Sequence, residues 1–157
     1  MSSSIKLDQT DKKILNILQK QAKITNAQLS KDIDLSPAPT LERVKKLENS
    51  GIIQSYHAKL NASLLGLGIS AFVQVKLKDY SRKSCKAFED KINDVDEVIE
   101  CHSVTGTGGY LLKVVAKDIQ SYEQVLKEKV TEISQVTDLN SMVILSTNKD
   151  SKVIPVP

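Results

Sequence analysis

The sequence predicts an α+β protein of two parts, because the spacing of its apolar residues changes once along the chain. Up to about residue 60 these residues recur every three or four positions, as in amphipathic helices. From Ile69 they alternate with other residues, as in strands that bury one face, and helical spacing then returns twice. Two glycines within residues 61–68 interrupt the helical spacing and indicate a linker. We therefore predict domains over residues 1–60 and 69–157.

Composition and charge narrow the class of protein. The 157 residues are 40% hydrophobic and 26% charged, which is typical of a globular chain and excludes a disordered one. No apolar run reaches the roughly 18 residues of a bilayer-spanning helix, and no apolar leader is present, so we expect a cytoplasmic protein without a membrane partner. Residues 1–60 hold ten Lys or Arg and six Asp or Glu, whereas residues 61–157 hold twelve and thirteen. This asymmetry indicates that the N-terminal part meets a polyanion.

Capping residues predict three helices in the N-terminal part. Asp8 precedes an apolar periodic run and suits the N-cap of a helix over about residues 8–21. Thr25 likewise suits the N-cap of a short second helix, which is expected to end near residue 34. Ser36 caps a third helix whose first position is a proline, where the missing N–H is harmless.

The short connection between the second and third helices predicts a helix-turn-helix, whose last helix can enter the major groove of DNA. The third helix is expected to end at Gly51. Residues 52–58 partly alternate, so we predict a strand that completes a winged variant. The stripe of this helix that we expect to be buried consists of Leu41, Val44 and Leu47. The polar face opposite to it carries Thr40, Arg43 and Lys46.

The first turns of the third helix form the predicted DNA-contacting surface. Small side chains and the positive end of the helix dipole lie at its N-terminus. An arginine one turn later suits guanine or a phosphate, the lysines suit phosphates, and the glutamate suits cytosine or stays solvated. The predicted contacts are Ser36, Pro37, Ala38, Pro39, Thr40, Glu42, Arg43, Lys45 and Lys46. The competing interpretation is an ordinary three-helix core with a solvated charged face.

The spacing of apolar residues in residues 69–157 predicts the element order βαββαβ. The strands are expected at residues 69–77, 98–104, 110–116 and 136–146. Helices are expected at about 81–93 and from about 119. With right-handed crossovers this order gives a four-stranded antiparallel sheet with both helices on one face, a ferredoxin-like arrangement. Because the uncovered face contains Phe72 and aliphatic residues, we expect a second copy of the chain to cover it, the alternative being its own linker or tail.

The sequence lacks a pattern for catalysis or metal binding. His57 and His102 fall in different domains, with no acid or nucleophile at a diagnostic spacing. Cys85 and Cys101 have no metal-ligand spacing and are most simply small apolar fillers. The glycine run at residues 106–109 leads into a strand, unlike a phosphate-binding loop, which leads into a helix. We therefore expect no enzyme, no metal and no cofactor.

Several segments carry a combined pattern that extends over nearly the whole chain. They are Asp8–Asp11, Leu35–Pro37, Arg43–Glu48, Gly51–Ile53, Val104–Gly106 and Tyr110–Val114. Together they resemble the leucine-responsive regulatory protein/asparagine regulator (Lrp/AsnC) family of transcription factors. The resemblance implies a winged helix-turn-helix domain followed by a ferredoxin-like (RAM-type) domain. It also implies a regulator that assembles as homodimers, often four in a ring, and that responds to an amino acid or a related small metabolite.

The resemblance also implies an effector site near the glycine-containing turn after the second strand. Carried onto this chain, the effector-binding residues are Ser103, Val104, Thr105, Gly106, Thr107, Gly108, Gly109 and Tyr110. Family members commonly carry acidic residues in this turn, whereas this chain has Thr107, Gly108 and Gly109. A ligand ammonium therefore loses its obvious charge partner, although backbone N–H groups of the turn can still hold a carboxylate.

The leading hypothesis is a sequence-specific transcriptional regulator that binds double-stranded DNA and a small-molecule effector, most simply an amino acid. The alternative is a metabolite-binding regulatory module whose helical domain mediates protein contacts. Phosphate neutralisation makes DNA affinity fall steeply with salt, so the salt dependence of binding separates these two hypotheses. An enzyme ranks third.

Overall fold

The computed structural model describes residues 6–106 and 109–157. Three helices come first, namely α1 (Gln9–Leu18), α2 (Asn26–Asp32) and α3 (Pro37–Asn49). The elements that follow are β1 (Ile69–Leu77), α4 (Arg82–Ile92), β2 (Val98–Ser103), β3 (Tyr110–Ala116), α5 (Ile119–Val125) and β4 (Val136–Val143). A short 3-10 turn spans Ser63–Leu65, and α5 continues into a π-helical turn at Leu126–Val130. Among the described helices, none is long and apolar enough to cross a bilayer.

The chain divides into two units. The helical unit contains the described residues up to Lys59 together with Lys149–Pro157, and the sheet unit contains Leu60–Asn148. Our predicted boundaries keep residues 149–157 with the sheet, so the structure differs from the prediction at this end. The physical reason is a tertiary contact, because Val156 packs against the core of the helical unit.

Two of the three capping residues that the sequence indicates accept a backbone hydrogen bond, whereas Ser36 precedes α3 without a side-chain capping bond. The N–H of Asp11 donates to Asp8 Oδ1 at 2.8 Å, and the N–H of Asp8 donates to Asp11 Oδ2 at 3.3 Å, which completes a capping box. The N–H of Gln28 donates to Thr25 Oγ1 at 3.2 Å. The apolar sides of the three helices then share one core, formed by Ile14, Leu15, Leu18, Leu29, Ile33 and Leu47. The predicted starts of α1 and α2 are confirmed.

The strand predicted at residues 52–58 does not form in the described part of the chain. Ile52 and Ile53 are half-buried against the helical core, and the N–H of Ile53 donates to the carbonyl of Leu47 at 3.2 Å. The remaining residues of this segment are exposed. A strand needs a neighbouring strand for its backbone groups, and the helical unit, as far as it is described, contains none.

The sheet unit has the predicted βαββαβ order and ferredoxin-like topology. Its four strands are antiparallel in the order β2-β3-β1-β4. Alternate residues of β1 and β3 form one buried face, and α4 and α5 both pack on that face. The central side chains of this core include Val73, Val75, Phe88, Ile92, Leu112, Val114, Tyr122 and Val125. Because both helices cover the same face, no described helix of the sheet unit covers the other face.

The uncovered face combines a small apolar area with ion pairs. Phe72 on β1 lies directly opposite Met142 on β4 and opposite Lys113 on β3. Lys113 Nζ lies 3.1 Å from Glu100 Oε1 on β2. Toward the other end, Lys76 Nζ lies 3.6 Å from Asp138 Oδ2. Such cross-strand pairs stabilise the register of the sheet and surround its apolar centre with charge.

Candidate nucleic-acid interface and effector turn

One side of α3 faces the helical core, and the opposite side faces solvent. Thr40 and Leu47 are buried, and Val44 is half-buried. The side chains on the opposite side are exposed, namely Ala38, Leu41, Glu42, Lys45, Lys46 and Asn49. We call these six residues the reading face. It includes one small side chain, one acidic side chain and two lysines. They lie along an α-helix, an element that the major groove of DNA can admit.

Thr40 is not on this exposed side, so its predicted place on the polar face is wrong. The Thr40 side chain is 0% exposed, and its hydroxyl donates to the carbonyl of Ser36 at 3.0 Å. Leu41, which was expected in the core, is 42% exposed. Steps of three residues drift around a helix of about 3.6 residues per turn. The steps between positions 40, 44 and 47 average 3.5 residues, close to one helical turn. Their side chains therefore lie on one side of α3.

Arg43 is engaged with α1 instead of being free on the surface of α3. Its Nη1 lies 2.6 Å from Asp8 Oδ2 and 2.7 Å from Asp11 Oδ1. The side chain of Asp11 is only 2% exposed, and that of Arg43 is 32% exposed. Hydrogen bonds to both carboxylates raise the pKa of Arg43. The pKa of Asp8 is lowered, first by the N–H of Asp11 and then by the guanidinium. The guanidinium therefore joins α3 to the capping box of α1.

The N-terminus of α3 and its lysines remain accessible. Exposed residues of the first turn are Ser36, Pro37, Ala38 and Pro39. Lys45 Nζ lies 3.8 Å from Glu42 Oε1, with both side chains more than half exposed. Exposed pairs of this kind contribute little stability, so Lys45 can exchange its carboxylate partner for a phosphate at small cost. The DNA contacts themselves stay predictions.

The described part of the predicted effector turn has a defined backbone. It starts where β2 ends at Ser103 and finishes where β3 begins at Tyr110. The N–H of Val104 donates to the carbonyl of Gly109 at 3.1 Å. Gly106 has a φ of 103°, a value that side-chain-bearing residues rarely adopt. Thr105 is exposed. Two further predicted residues, Thr107 and Gly108, lie outside the described residues.

Tyr80 lies against this turn, although no sequence pattern singles it out. A Cβ added at Gly109 would lie 2.1 Å from Tyr80 Cε1, so the ring occupies the space that a side chain at position 109 would need. The N–H of Leu77 donates to the Tyr80 hydroxyl at 3.1 Å and holds the ring in place. Tyr80 is 54% exposed. Gly109 therefore allows a close approach between the turn and the loop that follows β1.

Tyr110 joins the end of the turn to the core of the sheet unit. Its ring centroid lies 4.6 Å from that of Phe88, and its hydroxyl donates to Glu89 Oε1 at 2.9 Å. Burial, with further contributions from Cys85 and Glu89, raises the pKa of Tyr110. These contacts give Tyr110 a structural role, and its predicted contact with an effector stays a prediction.

The cysteines and histidines show no arrangement of metal ligands. Cys85 and Cys101 are half-buried against the core of the sheet unit. Burial, followed by the charge of Glu89, raises the pKa of Cys101 and favours the thiol over the reactive thiolate. His57 and His102 are exposed. Across residues 6–106 and 109–157, no three His, Cys, Asp or Glu side chains are grouped for a metal ion.

Two protein-family models match this chain. The model described as winged helix-turn-helix DNA-binding matches residues 7–54, and the model described as Lrp/AsnC ligand binding domain matches residues 70–154. The second match alone extends over more than half of the chain. The chain belongs to the Lrp/AsnC family. The family resemblance of the sequence is thus confirmed, and this Lrp/AsnC protein is a DNA-binding transcriptional regulator with a ligand-binding domain.

Relatives resemble this Lrp/AsnC regulator over nearly its full length. The transcriptional regulator AzlB of Bacillus subtilis is 35% identical over 152 residues, which are 97% of each chain. The leucine-responsive regulatory protein of Escherichia coli K12 is 38% identical over 145 residues, 92% of this chain and 88% of that protein. A transcriptional regulator of Neisseria meningitidis, solved as a complex with L-Met, has a TM-score of 0.91 at 32% identity and covers 96% of this chain and 97% of its own.

We predict that Arg43 stabilises the helical unit of this Lrp/AsnC protein. Arg43→Ala leaves the buried Asp11 carboxylate without its cation, so the free energy of unfolding should fall by about 1–3 kcal/mol. Urea unfolding followed by circular dichroism measures this change. Lys46→Ala is the matched control, because it removes a cation from the exposed side of α3 and should change the free energy by less than about 0.5 kcal/mol.

A double-mutant cycle with Asp11→Ala separates the ion pair from the other contacts of each residue. We expect the two substitutions to be less destabilising together than the sum of their separate effects, because each one already breaks the same pair. Additive effects would show that Arg43 and Asp11 do not interact in solution.

Proposed function

We propose that this regulator reads double-stranded DNA with the exposed side of α3 and responds to an amino acid bound by the sheet unit. The observation that carries the DNA part is the division of α3 into two sides. Thr40 and Leu47 fix one side in the core, and Arg43 ties the helix to α1. The other side is held open and carries two lysines.

The proposed division of labour on α3 follows from exposure. Ala38 and Glu42 lie on successive turns of the reading face and are the residues we assign to the groove. Lys45, Lys46 and the exposed first turn suit phosphates, which position a protein on the duplex without reading sequence. Thr40 is left out because it is buried. Arg43 acts by positioning α3, because both of its partners belong to α1.

We further propose that a second copy of the chain covers the open face of the sheet unit. Phe72 and Met142 form the apolar centre of that face, and they lie opposite each other on adjacent strands. A two-fold assembly presents the same face from both copies. It would offer two copies of α3 to half-sites about one DNA turn apart, which increases affinity through simultaneous contacts.

The effector proposal rests on the turn between β2 and β3. The regulator of Neisseria meningitidis carries L-Met in its solved complex, and we propose that an amino acid is the effector class here. The residues assigned to it are the predicted set from Ser103 to Tyr110, with Tyr80 beside Gly109 as an additional neighbour. An amino acid that favours one arrangement of copies would change how many reading faces contact DNA at once.

We place this activity in the cytoplasm, because that compartment holds the chromosome in bacteria such as those of the relatives. Regulation by binding requires no chemical step on the ligand. We therefore propose that the protein is not an enzyme and that it uses neither a metal nor a cofactor.

We predict that Lys45 contributes a phosphate contact. DNA fragments recovered from cells with the protein bound are labelled and titrated by fluorescence anisotropy at about 50–200 mM salt. Lys45→Ala should weaken binding similarly for all fragments and reduce the slope of log affinity against log salt by about 1. Lys83→Ala, an exposed lysine on α4, should leave both quantities unchanged. A wild-type affinity that does not change with salt would contradict DNA binding through α3.

We predict that Phe72 lies in a dimer interface. Phe72→Asp would place a charge in a desolvated surface, so sedimentation should show monomers at concentrations where the wild type is dimeric. Ile119→Asp is the control, because Ile119 is an exposed apolar residue on α5. Unchanged sedimentation of the Phe72 variant would show that another surface holds the copies together.

We predict saturable binding of an amino acid, measured by calorimetry with L-methionine and L-leucine as probes. Gly106→Ala imposes a side chain on a backbone with φ 103°, so it should distort the turn and weaken that binding. Gly66→Ala is the matched control, because Gly66 has a φ of 80° and lies in the linker. Failure of every amino acid tested to bind would remove the effector proposal and leave the DNA proposal standing.

A further inference from the structure

The last residues of the chain are bound by the end of α1. The side-chain amide of Gln19 donates from Nε2 to the carbonyl of Ile154 at 3.1 Å, and the N–H of Ile154 donates to Gln19 Oε1 at 2.7 Å. Gln19 is the C-cap residue of α1. A carboxamide has one acceptor and one donor group that can bind both backbone groups of a single residue. Gln19 therefore holds the backbone of the segment at Ile154.

Two further contacts hold this segment on either side of Ile154. Val156 packs against the apolar core of the helical unit. At the other end, Lys59 Nζ lies 2.8 Å from Asp150 Oδ2 and donates to the carbonyl of Asp150 at 3.2 Å. The Lys59 pair is exposed and contributes little by itself. The hydrogen bonds of the Gln19 side chain and the partial burial of Val156 therefore make the attachment specific.

The same helix is joined to α3 at its opposite end. Asp8 and Asp11 lie at the start of α1 and bind Arg43 of α3. Gln19 lies at the end of α1 and binds the C-terminal segment. An α-helix transmits a displacement of one end to the other because its backbone is hydrogen-bonded throughout. α1 is thus attached to α3 at its start and to the C-terminal segment at its end.

We infer that the helical unit carries a docking surface for an extended segment, and that residues 149–157 of this chain occupy it as a brace that positions α1 and, through Arg43, the reading face of α3. No group of the brace needs to contact DNA for this effect. The inference rests on the proposed use of α3 in DNA binding, but the attachment itself can be measured without DNA.

Two uncharged substitutions in the full-length protein test the brace. Gln19→Ala removes both hydrogen bonds of the side-chain amide, and Val156→Ser removes the apolar anchor. Each should lower the midpoint of thermal unfolding and raise the Kd for a recovered DNA fragment by about three- to tenfold, the range expected for losing one or two such contacts. The salt slope should not change, because the number of phosphate contacts is the same.

Matched controls lie beside each substituted residue. Gln21→Ala changes an exposed glutamine two positions further along the chain, and Val153→Ser changes a valine of the same segment that is 38% exposed. Both should keep the wild-type midpoint and Kd. If Gln19→Ala and Val156→Ser also keep them, the brace does not position the helical unit and the inference is overturned.

Rescue in trans separates positioning from general destabilisation. A chain ending at Asn148 should bind the DNA fragment more weakly, and a synthetic peptide of residues 149–157 should restore its affinity. The same peptide with Val156→Ser should not. Truncation without loss of affinity would overturn the inference. If the truncated chain does not fold, the full-length variants decide the question. Amide hydrogen exchange of α1, measured without DNA, tests the attachment alone. Unchanged exchange in the Gln19→Ala and Val156→Ser variants would contradict the brace, whereas faster exchange with unchanged DNA affinity would contradict the DNA proposal.

Discussion

The helical unit depends on one interaction, the contact of the Arg43 guanidinium with the carboxylates of Asp8 and Asp11. A carboxylate as buried as that of Asp11 is strongly destabilising without a partner, and Arg43 supplies the charge at 2.7 Å. The same two acids cap α1, so one cluster both starts that helix and fastens α3 to it. This constraint determines which side of α3 can meet DNA, because the helix cannot turn without separating the pair.

The sheet unit is governed by a different constraint, namely that both helices cover one face of the sheet. The buried face takes the alternate apolar residues of β1 and β3, and the other face keeps Phe72 and Met142 among ion pairs. A surface of this kind suits self-association better than exposure to water. The turn between β2 and β3 is held independently, by Tyr80 on Gly109 and by Tyr110 on the core. Its Lrp/AsnC ligand-binding domain therefore combines a rigid frame with a turn built on close backbone approach.

The C-terminal segment shows how a short stretch without regular secondary structure contributes to an otherwise helical unit. Its backbone is recognised by Gln19 and its side chain Val156 by the core. Residues 149–157 thus belong to the helical unit, although they follow the sheet unit in the sequence. The helical unit of this Lrp/AsnC regulator therefore includes residues that follow the last strand of the sheet unit in the sequence.

Neighbouring residues in the sequence determine much of the secondary structure and topology of this protein. Capping by Asp8 and Thr25, the alternation in β1 and the βαββαβ order are properties of neighbouring residues, so the sequence alone predicts them, together with the family. Tertiary structure alone decided which side of α3 is buried, because a periodic stripe does not reveal that Thr40 replaces Leu41 in the core or that Arg43 meets acids more than thirty positions away. It also decided that residues 52–58 form no strand and that the tail returns to the helices, because both depend on partners distant in sequence.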